Sequence, residues 1–343
     1  MPFSIVRNDI TKVKADIIVN TANPKPIIGG GTDRAVYVAA GEERLLEERK
    51  KIGEILQGEA VYTPAFDLQA KYIIHTVGPT WIDGEHGEKD VLRSCYDKAL
   101  ILAESLKAKS IAFPLIATGV YGFPKDEALN IALSQIGRFL LLHDMKVILV
   151  VFDRKAFELS SKLIGDIDEY IDEKGVVDAE KSEYELDYGR FTGEESFRIL
   201  ARKRNNRREY AASLSFTETL GKSLEEAVGD RGDTFSQRLF KLIDERGMDD
   251  VTVYKKANID RKVFSRIRCK EDYKPKKKTA VALAVALKLN MNEMLDLLSR
   301  AEIAFSPGNK FDIIITYFIN NKIYDIYEIN AALFKYGQPI LGE

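Results

Sequence analysis

The sequence predicts a layered α/β domain followed by a mainly helical one, and three observations lead there. From residue 3 to about 172, short β-branched runs alternate with longer stretches whose apolar residues recur every three or four positions, the pattern of helices laid on both faces of a sheet. Past that point the composition swings from an acid-rich stretch at 178–195 to a basic run at 198–208, and from Thr234 onward only helical periodicity remains. The chain as a whole has 343 residues, 45% hydrophobic, with a net charge of -2, so it holds material for two cores and does not have the composition of a disordered protein.

Taken in order, strands are predicted over 17–19, 71–75, 110–113 and 147–152, each almost wholly apolar as befits strands covered on both faces. Helices are predicted between them over 32–40, 90–106, 126–143 and 155–171. A domain over 1–174 follows, then a charged flexible linker over 175–233 with a short helix near 215–228. Opposite charge blocks with few large aliphatics do not build a core. A helical domain over 234–343 completes the chain, with helices centred on Phe235–Ile243, 252–257, 261–268, 279–289, 292–298, 311–319 and 323–334.

Several function classes are excluded at this level. The longest apolar runs are far shorter than the ~20 residues that cross a bilayer, and the first residues lack the pattern of a secretory signal, so a cytoplasmic protein without a membrane is expected. The two cysteines, Cys95 and Cys269, are far apart, and the three histidines are scattered. Neither a disulfide framework nor a metal site is expected.

The chemistry concentrates in two glycine-bearing segments, one over 20–33 containing Gly29, Gly30 and Gly31, the other over 114–124 containing Thr118, Gly119, Val120, Tyr121 and Gly122. Each follows a predicted strand and precedes a predicted helix. Glycines at such a turn let backbone N–H groups approach an anion closely, and the helix N-terminus adds positive partial charge. Two such turns side by side could hold two phosphates; a tight turn needing positive φ is the plainer account of either one alone. Neither segment is a Walker loop or a dinucleotide fingerprint. Asp9 could accept from an exocyclic amine or simply begin a turn, and Phe152 could stack on a base or fill a core. His75, ending an apolar strand, reads as a satisfied core histidine.

Six segments in order, Asn8-Asp9-Ile10-Thr11, Val19-Asn20-Thr21-Ala22-Asn23, Gly29-Gly30-Gly31-Thr32-Asp33, His75-Thr76-Val77-Gly78-Pro79, Thr118-Gly119-Val120-Tyr121-Gly122 and Phe152-Asp153-Arg154-Lys155, together resemble a macrodomain of the MacroD-like hydrolase branch. The resemblance implies a three-layer α/β/α fold with a mixed sheet and ADP-ribose, or an ADP-ribosylated substrate, as partner. By it, Asp9 and Ile10 would hold the adenine and Phe152 would stack on it. Gly30, Gly31 and the loop Thr118, Gly119, Val120, Tyr121, Gly122 would wrap the diphosphate. Asn23 would hydrogen-bond the distal ribose, Asp33 would orient the attacking water or a ribose hydroxyl, Tyr121 would exclude solvent, and Asn20 would brace Asn23 and the loop. The implied reaction is hydrolysis of an ADP-ribosyl or acetyl ester, with no cofactor, no metal and no covalent intermediate. A non-catalytic ADP-ribose reader is the alternative. The sequence departs from the hydrolase pattern at Thr32, Tyr37 and Phe123, which bears on turnover more than on binding.

In the helical part, eleven Lys or Arg stand between Lys255 and Lys278 against three acids. A helix, a short turn at 258–260 and a second helix with Val263, Phe264 and Ile267 facing inward resemble the helix-turn-helix of Xre/lambda-repressor-like domains, although the turn lacks the usual glycine. That resemblance implies nucleic-acid contact through Arg261, Lys262, Arg266 and Arg268. A protein-interaction module with a solvated basic loop is the alternative.

Overall fold

The computed structural model describes residues 2–152, 167 and 232–342. The helix expected over 155–171, the segment Asp153-Arg154-Lys155, the helix near 215–228 and nearly all of the 175–233 linker lie outside the described residues. Contacts divide the chain into two units, one comprising 1–164, 254–260 and 325–343, the other 165–253 and 261–324.

The first unit is built on a six-stranded sheet: β1 (Phe3–Arg7), β2 (Ile17–Thr21), β3 (Ala60–Pro64), β4 (Tyr72–Thr76), β5 (Ser110–Pro114) and β6 (Lys146–Val151). Their order across the sheet is β1-β6-β5-β2-β4-β3. All neighbours are parallel except β3, which runs antiparallel to β4, so the sheet is mixed as expected. The central strand β2 is buried on both faces, which is why it reads as an unbroken apolar run. Residues alternate between those faces. On one, Ile18, Ile73, Ala112, Ile148 and Val150 pack with Val36, Tyr37 and Ala40 of α1 (Gly31–Ala40) and Leu45 of α2 (Glu42–Ile52). The other helices of the α/β part, α3 (Glu88–Ser105) and α4 (Lys125–Leu142), pack against each other, and α3 also packs on β3 and β4.

Three elements were not predicted. Strands β1 and β3 lie at the two edges of the sheet, and α2 buries just Leu45 and Arg49, so its sequence EERLLEERKKI reads as polar all round.

Two distant segments complete this unit. Asn258, in the left-handed region at φ 53, lends its side-chain amide to the edge strand: Phe3 N donates to its Oδ1 at 2.9 Å, and its Nδ2 donates to Phe3 O at 3.1 Å. Beside it, Tyr327 packs edge-on against Phe3 with ring centroids 5.3 Å apart. Asn330 and Leu341 exchange two hydrogen bonds. Lys255 Nζ donates to Leu141 O at 3.3 Å and faces Asp144.

The helices of the remaining chain are α5 (Phe235–Glu245), α6 (Asp250–Lys256), α7 (Arg261–Cys269), α8 (Lys277–Ala286), α9 (Met291–Ser299), α10 (Lys310–Asn320) and α11 (Ile326–Lys335). The starts of α5 and α9 are closed by capping boxes, Thr234 with Gln237 and Asn290 with Glu293, which satisfy amides the helix cannot. Phe264 and Ile267 of α7 are buried and Val263 is half-buried, as the periodicity requires. No described helix is long and apolar enough to cross a membrane.

Candidate active site

The parallel strands place their C-terminal ends, and the loops that follow them, along one rim. A cavity of about 450 Å³ opens there, lined among others by Asp9 and Ile10 after β1, Gly31 and Thr32 at the start of α1, Thr118 after β5, and Val150, Val151 and Phe152 at the end of β6. This is where ligands bind in open parallel α/β sheets. Phe152 is 79% exposed, so its ring is not a core residue but a free aromatic face at the cavity wall. Asp9 caps the short turn Ile10–Lys12, its Oδ1 accepting from Thr11 N at 3.0 Å and Thr11 Oγ1 at 2.8 Å. It both begins a turn and lines the cavity.

No side chain caps the N-terminus of α1, where Gly30 is the N-cap and Gly31 takes φ +58. Uncapped amides and the helix dipole there favour an anion. The second loop is shaped by Ala117 at φ 63, by Gly122 at φ 67, and by a turn in which Gly122 N donates to Gly119 O at 3.0 Å. It is clamped from outside: Trp81 N donates to Tyr121 O at 2.8 Å, and the Trp81 ring meets Phe123 edge-on at 4.6 Å. Val120, 87% exposed, projects from the tip. The Trp81 loop is itself held by the Glu88 carboxylate, which accepts from the amides of Ile82, Asp83, Gly84 and His86. Burial would raise its pKa, but these amides outweigh it and bring it to about 2. Asp83, His86 and Glu88 each bring one ligand atom within 4.8 Å of the others, beside the amides that the Glu88 oxygens already accept from.

Next to the first glycine loop lies a buried polar network. The Asp33 carboxylate, 3% exposed, accepts from Asn20 Nδ2 at 2.6 Å and from Gly29 N at 2.6 Å, one oxygen each. Asn20 Nδ2 also points at His75 Nδ1, 3.2 Å away, and His75 Nε2 lies 3.0 Å from Thr63 Oγ1. Because the amide can only donate, His75 Nδ1 accepts and Nε2 carries the proton, which fixes a neutral tautomer. Burial, then the charge of Arg49, lowers the His75 pKa to about 3. Burial raises the Asp33 pKa despite its two donors, and burial with the nearby Asp33 charge raises Tyr37 to about 12.

Asn23 stands at the edge of this network. Its Nδ2 donates to Ile27 O at 3.1 Å, and Tyr121 OH reaches its Oδ1 at 3.5 Å, so the two glycine loops meet through this pair. A Cβ on Gly29 would lie 2.6 Å from Asn23 Nδ2 and 3.2 Å from Asp33 Oδ2, which explains glycine there.

The cavity wall therefore brings together Asp9, Ile10, Gly31, Thr118 and Phe152, while hydrogen bonds join Asn20 to Asp33 and Tyr121 to Asn23 on the adjoining loops; Gly30, Gly119, Val120 and Gly122 lie on those loops and not in the cavity wall. Arg49 was not read from the sequence. The signal for Arg49 was its position four residues after Leu45, one turn along the buried stripe of α2. In the helical unit, Arg261, Lys262 and Arg266 are exposed on α7. Arg268 lies over the Phe240 ring at 4.2 Å and pairs with Asp250, so its charge is already engaged.

An uncapped helix start after a glycine-rich turn, beside a buried Asn–Asp pair at the rim of a mixed sheet flanked by helices, marks a ligand-binding α/β module. The Macro domain family model matches residues 19–132. A macro domain-containing protein of Listeria monocytogenes is 47% identical over 173 residues, 48% of this chain and 97% of its own length. An O-acetyl-ADP-ribose deacetylase of Escherichia fergusonii is 43% identical over 166 residues, 47% of this chain and 93% of its own. A solved structure titled as the Oceanobacillus iheyensis macrodomain with ADP is 41% identical, covering 45% of this chain and 85% of that one, with a TM-score of 0.43. The chain belongs to the macro domain family, by a match that occupies about half of its length.

Proposed function

We propose that this protein binds ADP-ribose in the cavity between the two glycine loops and hydrolyses ADP-ribosyl or O-acetyl-ADP-ribose esters on the distal ribose. The observation that carries the reading is the meeting of Asn23 and Tyr121 at 3.5 Å, directly beside Asp33 and the uncapped start of α1. In this reading the amides of Gly30, Gly31 and the 118–122 loop donate to the diphosphate, which needs donors without bulk. Phe152 offers its face to the adenine, and Asp9 and Ile10 its edge. Asn23 presents its carboxamide to the ribose. Water adds to the ester carbonyl, the bond to the ribose oxygen breaks, that oxygen leaves with a proton, and ADP-ribose and a carboxylic acid are released.

Both Asp33 oxygens are engaged inside the protein, so the carboxylate acts first by shaping the Gly29–Gly31 turn. A direct role on water would use an acceptor site that these two bonds leave on the carboxylate oxygens. Holding water and ester in register can supply about 7 kcal/mol or more. The deacetylase name of a 43% identical relative supports this activity over that of a reader. A panel of ADP-ribosylated substrates and O-acetyl-ADP-ribose, incubated with the full chain, tests it. Asn23→Ala and Asp33→Ala should lower kcat by 10²-fold or more, a magnitude typical of lost positioning groups. Binding without turnover in the wild type would leave a reader.

We propose further that α7 contacts nucleic acid. Arg261, Lys262 and Arg266 are all exposed, and Lys262 and Arg266 stand one turn apart on the same helix face. Binding through such cations must weaken steeply from 50 to 200 mM salt, by about tenfold or more for three phosphate contacts. Salt-insensitive capture of a protein would instead support an adaptor.

A further inference from the structure

Arg49 is 1% exposed, the largest of the fully buried side chains, and among the described residues it makes no ion pair. Its guanidinium spends its donors on backbone carbonyls: Nη2 to Pro24 O at 3.0 Å and to Asn23 O at 3.3 Å, Nη1 to Gly53 O. A buried cation without a paired carboxylate is costly, so its contacts need an explanation beyond packing. The explanation lies in what those carbonyls belong to. Asn23 and Pro24 form the turn after β2 that presents the ribose-facing carboxamide, and Gly53 ends α2. Ile55 N also donates to Pro24 O at 2.9 Å, which ties the same carbonyl to the segment after α2. The guanidinium therefore staples the 22–24 turn to the end of a helix, with the Asp33 charge near enough to offset part of its own.

We infer that Arg49 is a positioning residue of the active site: by holding the Asn23 and Pro24 carbonyls it fixes the direction in which the Asn23 carboxamide meets Tyr121 and the substrate ribose. The inference rests on the hydrolase reading for its kinetic consequence but not for its structural one. A lysine cannot reproduce it, because one ammonium group lacks the planar fork that spans separate carbonyls. Adenine and diphosphate contacts, at Asp9, Phe152 and the start of α1, lie apart from this turn and should survive its loosening.

The test uses Arg49→Lys and Arg49→Gln in the full chain. Calorimetry with ADP-ribose should give a Kd within about threefold of wild type for Arg49→Lys, while kcat on O-acetyl-ADP-ribose falls about tenfold for Lys and further for Gln. A lowered Tm with unchanged kcat would make Arg49 merely structural and overturn the inference. So would equal losses in affinity and kcat, which mean a uniform collapse of the pocket. If the wild type itself shows no turnover, the hydrolase reading fails while this inference is still decided by NMR. The Asn23 side-chain NH₂ resonances should then shift and broaden in Arg49→Lys, and unmoved resonances overturn it.

Discussion

At the scale of single residues, the site depends on groups that have no room to change. Gly29 shows this most directly, since any Cβ there meets the Asn23 amide and the Asp33 carboxylate together. Gly29→Ala should cost about 1–3 kcal/mol in stability, the usual result of overpacking, and should lower turnover at least tenfold. A thermal melt and a progress curve on the same sample check both. Asp33 gives a pH prediction whose sign is fixed by its surroundings. Both of its hydrogen-bond partners are donors, so the ionised carboxylate holds the turn. Burial raises its pKa in the fold, so that carboxylate is lost at a higher pH than the unfolded value of 3.8. The linked stability runs the other way: the contribution favouring the fold is full below 3.8 and disappears as pH rises through the folded value. The acid limb of kcat/KM should therefore lie above pH 3.8 and be absent from the residual rate of Asp33→Asn. His75, with its pKa near 3, should show no ring titration by NMR between pH 5 and 8.

Among the elements, legibility followed burial. Strands β2, β4, β5 and β6 are covered on both faces and stood out as apolar runs, whereas β1 and β3 sit at the edges, where Ser4 and the exposed Tyr62 break the pattern. Helix α2 escaped notice because one of its two buried residues is an arginine. The two glycine loops were legible because each lies between a strand and a helix, a purely local context. The Arg49 staple, the Glu88 cap and the Trp81 clamp arise where separate elements meet; the spacing from Leu45 marks Arg49 as buried, but no spacing rule announces the partners of any of the three. Edge strand β1 yields a prediction of its own, because the Asn258 amide mimics a neighbouring strand for Phe3. Asn258→Ala leaves those backbone groups unpaired at a buried position and should cost about 1–3 kcal/mol. Urea unfolding followed by the near-ultraviolet signal of Trp81, far from residue 258 in sequence, reads it out.

For the molecule as a whole, the charge runs and the return of helical periodicity at Thr234 marked the passage to a helical region, and its helices followed. Composition gave no sign that 254–260 and 325–343 share a compact unit with the α/β part. Those segments join through a handful of side-chain amides whose partners are far along the chain. Where ADP-ribose binding depends on peptide amides and an aromatic face, its salt dependence should be slight beside that of any polyanion on α7. Titrations of both ligands across one salt series separate the two surfaces.

Phe3 and Asn258 are 255 residues apart in sequence. At about 5–20 residues per second, a ribosome needs roughly 13–50 s to travel that distance. Throughout that interval the nascent sheet has an open flank at β1. A chain ending before residue 258 lacks the amide that pairs with the Phe3 backbone, so its β1 flank keeps those two groups for solvent.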